Sequence, residues 1–270
     1  MSTPNTNYEM RETLLKLENI SHSYNGRPIL KEVNAEVKNV HIPGREQGQI
    51  IGLLGPSGVG KTTLFRILAG LMEPTSGKVL LGADAHPVKR GTVGVVAQDY
   101  PLFAHRTVLS NLLVAADNNP TVAMNMLERF GMGEHAKKYP IQLSGGQRQR
   151  VAIAQQLLCS EFLVLMDEPF SGLDPVAVRN VIKLLGEAAA VDEHKTFVLV
   201  THDIEAAVET CDTLWLLGRD RSADGQPIPG ARVQKIFDLM ACGLAWREGI
   251  TGDPEYQRVL AEIQAIFPRL

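Results

Sequence analysis

Two kinds of hydrophobic pattern occur along the chain. Between residues 14 and 41, apolar and polar side chains alternate on both sides of Asn25-Gly26. Alternation around a tight-turn dipeptide predicts an antiparallel β-region. Three short runs, 50–54, 163–166 and 196–200, are almost wholly apolar without alternation. Such runs are typical of strands that are covered on both faces.

Helical patterns separate these apolar runs. Leu64 to Leu68 follow the first run, and a helix-like segment around Val181 to Leu185 lies between the other two. Strand–helix–strand order predicts a parallel sheet. Residues 99–142 have a helical pattern punctuated by prolines and predict a small helical insert. The expected fold class is α/β, with a parallel sheet, an antiparallel β subdomain and the helical insert.

A glycine-rich stretch joins the first apolar run to its helix. Residues 55–62 read Gly-Pro-Ser-Gly-Val-Gly-Lys-Thr and meet the fixed positions of G-x-x-x-x-G-K-[ST]. Gly55, Gly58 and Gly60 allow the backbone to turn its N–H groups toward phosphate oxygens at a helix N-terminus. Lys61 would reach the β- and γ-phosphates, and the Thr62 hydroxyl would ligate Mg²⁺. The sequence therefore predicts a nucleotide-binding phosphate loop.

Two acids follow the second apolar run. Asp167 and Glu168 come directly after Met166, at the carboxyl end of a predicted strand, where open α/β sheets bind ligands. If this strand lies beside the one that feeds the phosphate loop, Asp167 can serve the metal and Glu168 can act as general base on water.

A second predicted helix N-terminus that contains glycines lies at residues 143–147. Ser144 can cap the helix, and Gly145 and Gly146 leave its N-terminal amides open. This arrangement predicts a second anion site, or a capped helix with a glycine hinge.

Composition limits the partners and the compartment. The chain has 270 residues, 44% of them hydrophobic, and a net charge of −3. It has no overall basic field for nucleic acid. Its three cysteines are widely spaced and suit reduced thiols in the cytosol. The longest apolar runs have strand length, so we expect no membrane-spanning segment.

These motifs, in their order, resemble the ATP-binding subunit of an ABC transporter, which implies an ABC ATPase architecture built on a P-loop NTPase core. By that resemblance 55–62 is the Walker A loop, 143–147 the signature, 163–168 the Walker B strand with its acids, and 171–174 the D-loop. The resemblance implies that Glu168, His202 and Gln98 are catalytic and that Thr62, Gln98 and Asp167 bind Mg²⁺. The residues implied to bind ATP are Tyr24, whose ring stacks on adenine, with Gly55, Pro56, Ser57, Gly58, Val59, Gly60, Lys61, Thr62, Thr63, Ser144, Gly145, Gly146, Gln147 and Asp174.

The resemblance also implies partners. Two copies would form a homodimer, or one copy would pair with another ATPase subunit, with each ATP between the Walker A loop of one and the signature of the other. The motion would pass to a transmembrane permease subunit, with a solute-binding protein in the full system, on the cytoplasmic face of the inner membrane. The continuation of the signature and the segment 98–103 resemble bacterial importers. An exporter or lipid-trafficking ATPase, and a soluble non-transport ABC ATPase, are the alternatives.

The ends of the chain are expected to differ from its centre. We expect residues 1–13 to form a flexible lead-in. Residues 14–219 should form the ATPase domain, with its insert at about 99–142, and residues 220–270 should form a short C-terminal extension. Residues 220–230 are expected to form a loop. Asp253, Pro254 and the apolar positions that follow predict an amphipathic helix that packs on the chain's own core.

Overall fold

The computed structural model describes residues 8–44, 47–97, 101–160, 162–247 and 249–270. Its strands are β1 (Glu9–Tyr24), β2 (Arg27–His41), β3 (Gln49–Leu54), β4 (Ser76–Leu81), β5 (His86–Pro87), β6 (Gly94–Val96), β7 (Leu163–Asp167), β8 (Thr196–Thr201), β9 (Thr213–Arg221) and β10 (Pro227–Asp238). Its α-helices are α1 (Lys61–Leu68), α2 (Val108–Ala115), α3 (Pro120–Arg129), α4 (Gly145–Cys159), α5 (Pro175–Ala189), α6 (Ile204–Thr210) and α7 (Pro254–Ile266). None of the helices within these ranges is long and apolar enough to cross a membrane.

One mixed sheet joins the two predicted β-regions. Its strand order is β5-β4-β1-β2-β10-β9-β3-β8-β7-β6. Neighbours from β9 to β6 are parallel, whereas β1 pairs antiparallel with β2 and β4. Strand β10 connects the two parts, since it pairs antiparallel with β9 and parallel with β2. The antiparallel turn at Asn25-Gly26 and the parallel core are therefore confirmed.

The parallel strands contribute to a hydrophobic core on each face. In β8, Phe197 and Leu199 join the core formed with α2 to α7, while Val198 and Val200 join the core formed with α1, β1 and β2. Successive side chains of a strand point to opposite faces, so a strand buried on both needs apolar residues at every position. This explains the unbroken apolar runs of the sequence.

The predicted ends of the folded domain need correction. Strand β1 begins at Glu9, which pairs with His41 of β2, so residues 9–13 belong to the sheet and not to a flexible lead-in. The loop expected over 220–230 is shorter, because β9 runs to Arg221 and β10 begins at Pro227. The two strands form a hairpin across the expected boundary at 219/220.

The C-terminal helix packs as the sequence predicts. Asp253 caps α7 by accepting a hydrogen bond from the Glu255 amide, and Pro254 occupies its first turn. Tyr256, Val259 and Ile263 are buried in the core that α5 and α6 share. The extension is thus part of the main hydrophobic core.

Candidate active site

The phosphate loop has a backbone conformation that depends on its glycines. Gly60 caps α1 with φ 121°, a conformation that side-chain-bearing residues avoid. A Cβ atom at Gly55 would lie 2.6 Å from the Leu217 carbonyl oxygen, so β9 approaches the loop at van der Waals limits. Ser57, Gly58 and Thr62 are exposed, whereas Val59 and Thr63 are buried. The side chains of Val59 and Thr63 therefore support the loop from its core side.

Lys61 lies inside the curve of this loop. Its Nζ donates hydrogen bonds to the carbonyl oxygens of Gly55 at 2.7 Å and Pro56 at 3.3 Å. Burial lowers the pKa of Lys61, while the nearby carboxylates of Glu168 and Asp167 oppose that shift. The ammonium group and both acids are therefore within electrostatic reach of one another.

The condition stated for the two acids, that their strand lies beside the one that feeds the phosphate loop, is not met. Strand β7, which ends in the acids, does not lie beside β3, because β8 lies between them and pairs with both. Leu54 is opposite Thr201 in the β3–β8 register, and Asp167 is opposite Val200 in the β7–β8 register. The carboxyl ends of all three strands therefore meet at one edge, with Thr201 and His202 between the phosphate loop and the acids.

Glu168 is fixed by three contacts with β8 and its end. Its amide donates to the Val200 carbonyl oxygen at 2.8 Å. Its Oε2 accepts a hydrogen bond from Thr201 Oγ1 at 3.2 Å and lies 2.9 Å from Nδ1 of His202. The backbone of Glu168 has φ 48°, a left-handed conformation that costs free energy and that tends to occur at functional sites. The structure thus positions the predicted base together with the predicted histidine.

Asp167 is half-buried at the end of β7. Burial and the neighbouring charge of Glu168 raise the pKa of Asp167, and the Lys61 ammonium partly offsets that effect. Carboxylate and hydroxyl oxygens are the hard donors that Mg²⁺ prefers. A cation next to Asp167 would compensate the charge that burial disfavours, so Asp167 and the exposed Thr62 hydroxyl fit such an ion.

The signature segment forms a capping box at the start of α4. Ser144 Oγ accepts from the Gln147 amide, and Gln147 Oε1 accepts from the Ser144 amide. Gln147 Nε2 lies 2.9 Å from Nε2 of His135 in the helical insert. A Cβ atom at Gly145 or Gly146 would meet nothing within 4 Å. The N-terminal end of α4 is therefore open at its two glycines, and the contact with His135 joins it to the insert.

Tyr24 lies at the tip of the β1–β2 hairpin. Its ring is 43% exposed, and it packs edge-on against His22 at 4.8 Å between ring centroids. The Tyr24 hydroxyl donates to the Met72 sulfur at 3.4 Å. Ile29 of the same hairpin would lie 3.1 Å from a Cβ atom at Gly60. The hairpin therefore flanks the phosphate loop and leaves a tyrosine ring available for stacking.

The remaining predicted residues have different placements. The Asp174 carboxylate caps α5 by accepting from the amides of Val176 and Ala177 at 2.8 and 3.0 Å. These backbone hydrogen bonds lower the pKa of Asp174. Its nucleotide contact stays a prediction, as does every role inferred by resemblance. Gln98 lies outside the described residues, together with Asp99 and Tyr100.

Sequence reasoning missed three residues at this site. Thr201 donates to Glu168, His135 contacts Gln147, and Arg219 Nη2 donates to the Gly58 carbonyl oxygen at 2.8 Å. Thr201 could have been suspected, since it precedes His202 at a strand end. His135 is 12 residues from Gln147 and Arg219 is 161 residues from Gly58, and no local pattern indicates either pair.

Comparison with known proteins gives the family. The ABC transporter family model matches residues 39–171, which include the phosphate loop, the signature segment and both acids. The ABC transporter ATP-binding protein YtlC of Bacillus subtilis is 36% identical over 211 residues, which are 76% of this chain and 79% of that protein. The chain belongs to the ABC transporter family. As an ABC ATP-binding subunit it binds ATP, and the members of its family are in general ATPases.

Two further comparisons support this ABC assignment. The aliphatic sulfonates import ATP-binding protein SsuB 1 of Rhodococcus jostii is 35% identical, over 87% of this chain and 90% of that protein. The solved structure of cbiO1 from Clostridium perfringens, part of the ABC transporter complex cbiONQ, aligns with a TM-score of 0.71 and 27% identity over 96% of this chain and 97% of that one. Several other curated relatives are longer, and the chain spans 57% to 61% of their length.

Proposed function

We propose that this ABC chain hydrolyses ATP to power solute import through a separate transmembrane subunit. The observation that carries the proposal is the convergence of Lys61, Asp167, Glu168 and His202 on one edge of the sheet, beside a phosphate loop. Import is favoured over export because the curated relatives that are named for a transport direction, such as the sulfonate protein of Rhodococcus jostii, are import subunits.

The chemistry follows from the side chains at this edge. Lys61 would leave its loop carbonyls and pair with the β- and γ-phosphates. The Glu168 carboxylate would take a proton from the water whose oxygen attacks the γ-phosphorus. The bond from that phosphorus to the β,γ-bridging oxygen breaks, and ADP and phosphate form. His202 would contact the γ-phosphate while Glu168 holds its ring.

Mg²⁺ is part of this proposal. Thr62, Asp167 and Gln98 would hold it, and it would offset the negative charge of the phosphates when bound. Burial and the charge of Glu168 raise the pKa of Asp167 and so disfavour its ionised form. A cation would stabilise the ionised carboxylate.

The exposed signature supports a paired arrangement. The open N-terminal end of α4 suits an anion, and Gln147 in its first turn contacts His135 of the insert. We propose that it contacts the ATP bound at the phosphate loop of a second copy, on the cytoplasmic face of the cell membrane. The transmembrane subunit would then receive the motion through the helical insert.

Calorimetric titration of Mg·ATP tests the nucleotide site directly. Lys61→Ala should weaken binding by about tenfold or more, because phosphate charge would remain uncompensated in the loop. Lys78→Ala is the matched control, since Lys78 is an exposed lysine on β4 that pairs with Glu18. Equal ATP affinity of the Lys61→Ala and wild-type chains would contradict the proposal.

A further inference from the structure

The end of β9 lies between the phosphate loop and the segment that follows α7. On the loop side, the Leu217 carbonyl oxygen approaches Gly55, and Arg219 donates to the Gly58 carbonyl oxygen. On the other side, the Arg219 amide donates to the carbonyl oxygen of Leu270 at 3.2 Å. Leu217 and Arg219 of β9 therefore connect two parts of the chain that are far apart in sequence.

The hydrogen bond from Arg219 acts on the tip of the phosphate loop. Gly58 has φ 74°, and its carbonyl oxygen accepts from Arg219 at 2.8 Å. The next amide, of Val59, donates to the Pro56 carbonyl oxygen at 3.3 Å. A peptide group is planar, so contacts to its oxygen on one side and its N–H on the other fix its orientation. Arg219 therefore helps to set the direction of the loop's backbone dipoles.

The charge of Arg219 is also available to the loop. Its neighbour Asp220 is held by Arg232, with Nε 3.0 Å from both carboxylate oxygens, and by Gln234. Among the described residues, Asp220 forms its ion pair with Arg232, at 2.9 Å from Nη2 to Oδ1. The positive charge of Arg219 therefore adds to the field at the tip of the loop.

The segment after α7 supports the other side of β9. A Cβ atom at Gly218 would lie 2.8 Å from Cδ2 and 2.9 Å from Cβ of Leu270, so the leucine covers the strand's backbone at close range. Arg221 Nε donates to the Arg269 carbonyl oxygen at 3.0 Å. Helix α7 anchors this segment, because its apolar face is buried in the main core. Arg269 and Leu270 thus support the end of β9.

We propose that Arg219 is a positioning residue of the phosphate loop, and that residues 254–270 act through it as a brace that maintains ATP affinity. The inference rests on the proposed function, since it gives the C-terminal extension a role in nucleotide binding. The brace holds the loop in its phosphate-binding shape before ATP arrives, which lowers the ordering cost of binding.

Two measurements on Arg219→Gln test the brace. The Kd for Mg·ATP, measured by calorimetry, should rise about threefold to tenfold, the range expected for one hydrogen bond to a charged donor at a half-exposed site. Hydrogen exchange of the amides in residues 56–62, measured without nucleotide, should become faster. Arg129→Gln is the control, because Arg129 is an exposed arginine at the end of α3, and it should leave both quantities unchanged. Arg219→Lys should recover part of the affinity, because it restores the charge and one donor.

A second variant tests the segment after α7. Leu270→Ala should shift the Kd and the exchange in the same direction as Arg219→Gln. The double variant should lose less affinity than the product of the two single losses, because both act through the end of β9. An Arg219→Gln chain with wild-type Kd and wild-type exchange in residues 56–62 would overturn the inference. If the wild-type chain bound no Mg·ATP, the proposed function would fail, and the exchange comparison would still decide whether the brace exists.

Discussion

His202 and Glu168 meet across the ends of two neighbouring strands, with Nδ1 of His202 2.9 Å from Oε2 of Glu168. The side chain of His202 is 63% exposed and that of Glu168 is 23% exposed. The carboxylate orients the imidazole through Nδ1, which leaves Nε2 to face a ligand. A histidine held in this way can contact a phosphate without contributing to the binding of the rest of the nucleotide.

His202→Ala should therefore reduce turnover more than binding. We expect kcat for ATP hydrolysis to fall by about tenfold or more, with a much smaller change in the Kd for Mg·ATP. Steady-state kinetics and calorimetry measure the two quantities. His194→Ala is the control, because His194 is an exposed histidine paired with Glu12 and Asp192. A His202→Ala chain with normal folding, binding and turnover would show that this histidine is structural.

His135 should matter for the signature and not for the phosphate loop. Gln147 Oε1 accepts from the Ser144 amide, so Gln147 Nε2 is the donor to His135. Losing that acceptor in His135→Ala should reduce turnover about twofold to tenfold, the range of one net hydrogen bond. The Kd for Mg·ATP of the isolated chain should stay the same. His135→Gln should recover part of the activity, and His86→Ala should change neither quantity. Weaker ATP binding by His135→Ala would contradict this assignment.

The helical insert has an exposed aromatic ring at Phe103. The ring is 46% exposed, with the Arg106 guanidinium 5.3 Å from its centroid. Buried Asn111 holds the turn through hydrogen bonds with the Phe103 amide and carbonyl groups. The ring therefore does not fill the core of the insert, and it is free to meet a partner. Tyr100, which we expect to share this role, lies outside the described residues.

Phe103→Ser should prevent assembly with a transmembrane subunit and leave ATP hydrolysis by the isolated chain unchanged. Co-purification with a transmembrane subunit that is expressed together with the chain measures assembly. Val122→Ser is the control, since Val122 is an exposed apolar residue of α3 in the same insert. Recovery of the intact complex with Phe103→Ser would rule out a partner surface here, and loss of basal ATPase would assign the ring a structural role.

Burial of Tyr256 should make the stability of the fold decrease at alkaline pH. Burial, followed by the charges of Glu209, Glu205 and Asp203, raises the pKa of Tyr256 to about 12. The unfolded chain loses this proton near pH 10 and the folded chain near pH 12. The stabilisation is therefore fully present below pH 10 and is lost as pH rises through 12. Denaturant unfolding should show that the free energy of unfolding decreases between about pH 10 and pH 12. This decrease should be up to about 2 kcal/mol larger in wild type than in Tyr256→Phe. Parallel pH profiles would contradict the burial of this tyrosine.

The sequence predicts those parts of the site that are local along the chain. The phosphate loop and the signature cap each depend on residues within one turn, so their motifs are readable before folding. The pairing of Glu168 with Thr201 and His202 depends on which strand lies beside β7, and sequence does not encode that order explicitly. For the same reason the sequence leaves open whether β7 lies beside β3, and in the structure β8 separates them.

Tertiary contacts also explain the other differences. Residues 9–13 join the sheet only because the end of β2 offers them a partner. The hairpin from β9 to β10 extends into a polar segment because β10 pairs with both β9 and β2. Arg219 and Gly58 are 161 residues apart in sequence and meet because β9 lies beside β3, so only the folded structure could indicate that pair.

The mass of Glu168→Gln in solution tests most directly whether the phosphate loop and the signature form one site. The amide keeps the size and shape of the carboxylate but cannot accept the proton of the attacking water. Turnover should fall by about 10²-fold to 10⁴-fold while ATP binding persists. Light scattering after size exclusion should then show a monomer without nucleotide and a stable dimer with Mg·ATP. A Glu168→Gln chain that binds Mg·ATP and remains monomeric, or one that keeps near-normal turnover, would contradict the proposal.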